Sequence, residues 1–219
     1  MTTPDVLINR SAEAACYALL RRLAPAFKHD MVGAFQPISL MAALLQKRTQ
    51  VTPPDMVLLQ ENSASMKTLS REAAVSCMAL MSWLQPLDNE QVNLARGIQE
   101  TLGFVTSDLA LKGFQVINEI GDIHIDRDIA KSVLRNVFLA SLMAVTDSAS
   151  STAEVLLTAH VENDALVLKI TLTSQTGEKP NESCQTYRAM DWQDVQSLAV
   201  AEGVHLHHER DSVAITCSR

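Results

Sequence analysis

Between Tyr17 and Leu45 the residues Tyr17, Leu20, Ala24, Phe27, Met31, Ala34, Ile38, Met41 and Leu45 follow one another at alternating three- and four-residue steps. That is the spacing of a heptad seam on one long helix. Such a stripe has to be covered by other helices, so this part of the chain is restricted to hairpin, bundle or coiled-coil arrangements. Thr52-Pro53-Pro54-Asp55 interrupts the pattern after Arg48 and opens a second helical stretch to about Leu84, so the two helices form a hairpin. The return stretch repeats the seam with Leu59, Met66, Leu69, Ala73, Leu80 and Trp83, while Asn62 and Ser76 put polar side chains at two seam positions. The first arm, from about Ser11 to Arg48, would be roughly 50 to 60 Å long at 1.5 Å per residue. A two-helix hairpin of that length cannot enclose its own seam. The expected solution is two hairpins paired into a dimeric four-helix bundle, a homodimer.

His29 lies within Ala26-Phe27-Lys28-His29-Asp30-Met31-Val32-Gly33, between two seam residues. Two positions from Phe27 it is rotated by about 200°, so the seam packs while the imidazole faces solvent or a docked partner. Pro25 and Pro37 flank it. Each deletes a ladder hydrogen bond and crowds the carbonyl four residues earlier, at Arg21 and Gly33, so bends are expected that either curve the helix or expose the histidine.

After Gln85-Pro86-Leu87-Asp88 the long helical patterns give way to mixed elements, which sets a domain boundary near residue 86: a hairpin over 1–86 and an α+β domain over 87–219. The second domain reads as a helix over about Gln91–Leu111 and a strand at Phe114-Gln115-Val116-Ile117. A largely buried helix capped by Asp126 follows, carrying Ile129, Val133, Val137, Ala140 and Ala144. Ala153–Val161 and Ala165–Thr173 form a hairpin about Glu162-Asn163-Asp164. Asp191 starts a last helix that Gly203 stops, and His205–Glu209 with Ser212–Cys217 make a final hairpin.

Composition removes several function classes. With 219 residues and 47% hydrophobic content the chain can bury a core, and its net charge of -7 and pI near 5.3 argue against nonspecific nucleic-acid binding. Cys16, Cys77, Cys184 and Cys217 are far apart with no C-x-x-C pair, which fits reduced packing thiols in a cytoplasmic protein. No apolar run approaches the roughly 18 residues of a membrane span, and no signal segment opens the chain, so no membrane association is expected. His205 and His207 share one face of an edge strand next to His208, and His124 and His160 stand alone; a metal site would need further converging ligands.

A histidine-bearing helical hairpin followed by helix, strand, helix, hairpin, helix and hairpin resembles the core of bacterial sensor histidine kinases, a dimerisation and phosphotransfer domain followed by an ATPase-like domain. His29-Asp30-Met31-Val32-Gly33, with apolar residues continuing through Leu44-Leu45, looks like the histidine phosphotransferases of the ChpT type, which keep this architecture without the nucleotide site. In the kinases the helix equivalent to residues 126 to 148 carries asparagines that help hold the Mg²⁺ of the nucleotide. Leu134-Arg135-Asn136-Val137-Phe138-Leu139 aligns with that pattern and places Ala140 and Ala144 at the asparagine positions. A methyl group cannot ligate a hard cation. Asn136 is offset from both, and reads as exposed or capping. The family's adenine-reading aspartate meets Thr173-Ser174-Gln175-Thr176-Gly177 here, and residues 174 to 190 are too short and glycine-poor for a nucleotide lid.

The resemblance therefore implies relay. His29 would be the phosphoacceptor between receiver domains of response regulators, Asp30 its orienting acid, no cofactor would be held by this chain, and Mg²⁺ would come with the receiver. Asp30 has an equal alternative as a solvated acid, since adjacent helix residues diverge by about 100°. Lys28 and Arg22, the latter one heptad before His29, could meet a partner's surface; Gly33, one turn on, leaves room for close approach. The alternatives are a noncatalytic pseudo-histidine-kinase that binds and regulates a kinase or response regulator, and a divergent ATP-dependent kinase.

Overall fold

The computed structural model describes residues 4–85, 90–121, 125, 127–173, 177–181 and 187–218, with side chains in the first helix from residue 10 onward. The fold class is α+β. Its residues pack as two compact units, Ala24–Pro86 on one hand and Met1–Leu23 with Leu87–Arg219 on the other. The boundary expected near residue 86 falls on residues 86–89, outside the described residues.

Helix α1 (Pro4–Thr49) runs for 46 residues as one α-helix through both Pro25 and Pro37. It starts earlier than the apolar pattern suggests, with Pro4 at the first helical position, where a missing N–H costs no ladder bond. Asp55 then caps α2 (Met56–Met81), its carboxylate accepting from the Leu58 N–H at 3.1 Å, and a 3₁₀ turn at Ser82–Leu84 ends the unit. Along the hairpin the expected seam forms except at Met31, which is 42% exposed. Phe27, Ala34, Ile38, Met41 and Leu45 are half-buried on α1; on α2 Ala73 and Leu80 are buried and Leu59, Asn62, Met66, Leu69 and Ser76 half-buried. Phe27 tilts against Trp83 with ring centroids 5.7 Å apart, which pins the seam one half-turn before His29.

The seam is corrected at its beginning. Tyr17 is 57% exposed and Ala24 is exposed, whereas Ala12, Ala15, Ala18, Leu19 and Leu23 are buried in the unit that also holds residues 87–219. Two apolar periodicities overlap in α1, and a reading weighted to large side chains passes over the alanines that let another element approach closely.

In the α+β unit the helix expected over Gln91–Leu111 is three elements: β1 (Gln91–Asn93), α3 (Leu94–Leu102) and α4 (Thr106–Leu111). Asn93 ends β1 and caps α3 by accepting from the Arg96 N–H at 3.4 Å, and Gly103 closes α3. After β2 (Gln115–Asn118) comes β3 (Asp128–Ala130), antiparallel to β1 in a two-stranded sheet, where a helix capped by Asp126 was expected; Asp126 lies outside the described residues. A three-residue strand defined by a partner far along the chain leaves no local period to read. A π-helical stretch, Val133–Phe138, then runs into α5 (Leu139–Asp147).

β4 (Glu154–Glu162) and β5 (Ala165–Thr173) form the expected hairpin, turning through Asn163 and Asp164 at positive φ. Asp191 and Asp194 form a capping box on α6 (Trp192–Ala201), and β6 (His205–His208) pairs with β7 (Ser212–Cys217). The main sheet has the order β2-β4-β5-β7-β6, parallel only between β2 and β4. α5 and α6 pack together, and Val155, Leu157, Leu168, Ile170, Val213 and Ile215 are buried with Val137, Phe138, Leu142, Val195 and Leu198 to form the core.

One carboxylate inside this unit collects four donors. Arg22 grips Asp147 with both guanidinium nitrogens, at 2.6 and 3.0 Å, the Met190 N–H donates at 3.0 Å, and Lys112 Nζ stands 3.6 Å away. All three charged side chains are at least nine-tenths buried. Asp147→Ala is expected to destabilise the protein by about 3–5 kcal/mol in denaturant titration, because it strands two buried cations; a loss below about 1 kcal/mol would contradict the geometry. Gly113 has φ +92 and an added Cβ would lie 2.5 Å from Thr152 Cγ2, so Gly113→Ala should also lower stability, by roughly 1–3 kcal/mol in the same titration.

Candidate functional site

His29 stands on the bare side of α1. The seam takes Phe27 and Ala34 inward, and 3.6 residues per turn then leave the side chain of His29 89% exposed. Its Nδ1 is 3.5 Å from Asp30 Oδ1, with the Asp30 side chain half-exposed. The two side chains thus approach although their positions diverge on the helix. A carboxylate at Nδ1 favours the neutral tautomer that carries its proton there, leaving the Nε2 lone pair directed to solvent. An exposed imidazole with a free lone pair is a nucleophile available to a second protein.

Around it the helix is open. Gly33 would meet nothing within 4 Å if it carried a Cβ, so its lack of a side chain serves no packing need inside the chain. Further along the same side Leu40 is 72% and Leu44 37% exposed. Lys28 is exposed and lines a shallow trough of about 650 Å³ on α1 with Phe27, Met31, Val32 and Phe35. Arg22, considered as a surface contact, is instead the buried partner of Asp147. Of these exposed apolar residues, Leu40 was not singled out by sequence reasoning; its signal was a leucine about three helical turns after His29 and next to the seam residue Met41.

The positions that resemble the nucleotide-binding helix have become interior. Ala140 and Ala144 are 0% and 1% exposed, with methyl groups where oxygen ligands would be required. These residues do not fit a nucleotide-bound cation. Asn136 is neither exposed nor capping: it is half-buried, its amide donates to Glu202 Oε1 at 2.7 Å, and Ser132 Oγ donates to the other oxygen at 2.5 Å. Of the segment expected to lack a lid, residues 174–176 and 182–186 lie outside the described residues.

The remaining candidates carry no reactive geometry. His205 and His207 are exposed on the edge strand β6, and His208 stacks on Trp192 with centroids 4.2 Å apart. Among the described residues no cluster of three His, Cys, Asp or Glu could hold a metal ion, and none of the described helices is long and apolar enough to cross a membrane. His124 and Cys184 lie outside the described residues. Burial, with Glu202 and Glu13 nearby, pushes the Cys16 thiol up, and burial pushes Cys217 up to about 11, so both are packing thiols rather than nucleophiles.

No protein-family model matches the chain, and no curated protein matches it in sequence. Among solved structures it is similar to the histidine kinase AdeS of Acinetobacter baumannii, at 15% identity and a TM-score of 0.46 over 81% of this chain and 94% of that one. It is also similar to a bacterial phosphotransferase, at 12% identity and a TM-score of 0.36 over 91% of this chain and 95% of that one. A third likeness is to the blue-light activated histidine kinase EL346 of Erythrobacter litoralis, at 15% identity and a TM-score of 0.43 over 82% of this chain and 62% of that one. These figures set the three proteins beside the chain without assigning it to a family.

Proposed function

We propose that the chain is a histidine phosphotransferase of the ChpT type, relaying a phosphoryl group between receiver domains of response regulators through His29, without autophosphorylation from ATP. The observation that carries this reading is the pairing of opposites: an imidazole 89% exposed beside an acid on α1, and alanines 0% and 1% exposed where a nucleotide's cation would need oxygen ligands. In the first step the Nε2 lone pair attacks the phosphorus of an aspartyl phosphate, the P–O bond breaks, and the receiver's carboxylate leaves with its electron pair. Asp30 stabilises the positive charge on the ring as the P–N bond forms. In the second step a carboxylate of another receiver attacks phosphorus, and the P–N bond breaks to return the lone pair to Nε2. Phosphoryl transfer needs in-line positioning and charge neutralisation, and the receiver's acidic pocket would bring the Mg²⁺. This chain's task is then to present the ring at the right height on a rigid surface.

The working unit is a homodimer. On α1 the apolar arc is not fully covered: the seam residue Met31 and its neighbours Val32 and Phe35 remain 42–54% exposed, and on α2 Met78 and Met81 are 73% and 54% exposed. One α2 covers only one side of that arc, and a second hairpin supplies another. Leu40 and Leu44, on the histidine's side, form the surface on which a receiver rests. The α+β unit serves as a docking and structural element, and the setting is the cytoplasm, where response regulators act.

His29→Ala should abolish transfer of label from one phosphorylated receiver to another while changing thermal stability by no more than about 0.5 kcal/mol, since the side chain is exposed. Transfer that persists in this variant would contradict the relay. If wild type binds receivers and never acquires label, the regulatory pseudokinase replaces it. Leu40→Asp should slow transfer roughly tenfold or more without altering the melt, as loss of a central apolar contact does; an unchanged rate would move the receiver elsewhere.

A further inference from the structure

Gly33 is a glycine that the chain does not need for its own packing. It sits inside α1 in helical backbone, where glycine holds a helix less firmly than alanine does. An added Cβ would meet nothing within 4 Å among the described residues. Gly97 on α3 is the opposite case, since a Cβ there would strike Leu134 and Val92 and close packing demands glycine. At Gly33 neither a positive φ nor a neighbour inside the chain calls for a missing side chain.

Gly33 follows His29 by four residues, so the two positions lie one turn and about 40° apart on the helix. Side chains on a helix lean toward its N-terminus, and whatever stands at 33 therefore lies over the turn that carries 29. Of the two positions that can lean over the imidazole in this way, Val32 has a branched side chain and Gly33 has none. The ring is flanked on one side and bare on the other. The bare side leads on to Leu40 and Leu44, 72% and 37% exposed, which lie about 20° and 60° around the helix from His29.

We propose that Gly33 is a positioning residue for the receiver: its missing side chain is the clearance through which a folded phosphodonor brings its aspartyl phosphate against Nε2 of His29, from the side of Leu40 and Leu44. The inference rests on the relay reading and deepens it by giving the approach a direction. The Val32 side belongs to the apolar arc that a second hairpin covers, so the Gly33 side is the one left for a receiver. A receiver carries its phosphoryl group within a folded surface, and that surface has to close on α1 before phosphorus and Nε2 come within about 3 Å. A side chain of several atoms at 33 would hold the surface off, and a displacement of about 1 Å is enough to cost transfer roughly a hundredfold. A small phosphodonor brings no such surface and does not need the clearance.

The test compares full-length wild type, Gly33→Ala and Gly33→Leu for melting temperature and for the rate at which His29 acquires a phosphoryl group from a phosphorylated receiver and from phosphoramidate, a small phosphodonor. Both variants should melt at or above wild type, Gly33→Ala higher by about 2 °C, because each improves the helix and meets nothing inside the chain. Gly33→Leu should slow labelling by the receiver about tenfold or more and labelling by phosphoramidate less than about twofold, with Gly33→Ala between wild type and Gly33→Leu. Unchanged labelling of Gly33→Leu by a receiver that labels wild type overturns the role of Gly33 and leaves the relay standing. Equal loss with both donors overturns it too, since the leucine would then mask the ring itself. A Gly33→Ala variant that melts below wild type also overturns it, placing the purpose of the glycine within the helix beside Pro37. Wild type that takes a phosphoryl group from no receiver overturns the relay and this inference together.

Discussion

The apolar seam between α1 and α2 is the interaction on which the chemistry of this chain depends. By drawing Phe27, Ala34, Ile38, Met41 and Leu45 inward it fixes the rotation of α1, and through that rotation sends His29 to the opposite side. The Phe27–Trp83 contact anchors this phase two residues from the histidine, so the ring's direction is set by packing rather than by any bond the ring itself makes. Under the proposed relay, a nucleophile that must be reached by another folded protein gains from this arrangement. His29 is exposed and positioned at once, because the residues that fix the phase of the helix and the residue that faces solvent are different.

The α+β unit obeys a complementary constraint. Its helix from Val133 to Asp147 is buried along nearly its whole length, where an unpaired polar group is costly, and Ser141 Oγ is the buried oxygen there with no hydrogen-bond partner among the described residues. Ala140 and Ala144 are positions without polarity. Asn136 and Asp147 are positions where it was kept and paired, with Glu202 and with Arg22, Lys112 and the Met190 amide. The paired polar groups of this helix are thus structural, and the exposed imidazole of His29 stands on α1.

Elements with a local cause were readable in the sequence. Asp55, Asp191 and Asn163-Asp164 mark helix starts and a hairpin turn through bonds and backbone angles set within a few residues. The seam from Phe27 to Leu45, apart from the exposed Met31, was readable because apolar side chains repeat at one period. What escaped depended on distant partners. β1 and β3 are three-residue strands that exist only through each other, and the breaks around α3 and α4 cut a pattern that reads as continuous. Arg22 looked like a surface cation because its partner lies 125 residues away at the end of a helix whose apolar sequence hid the meaning of Asp147. At the site, the exposure of His29 followed from helical phase, whereas its 3.5 Å approach to Asp30 needed side-chain coordinates.

The central claim is that His29 itself carries the phosphoryl group and that the group arrives from a receiver. Incubating the wild-type chain with phosphorylated receiver domains and mapping the modified peptide by mass spectrometry tests it most directly. The account requires an acid-labile, base-stable phosphoryl group on the His29 imidazole, and no such group after incubation with Mg-ATP alone. A phosphoryl group on another residue, or labelling of His29 by Mg-ATP with no receiver present, would contradict it.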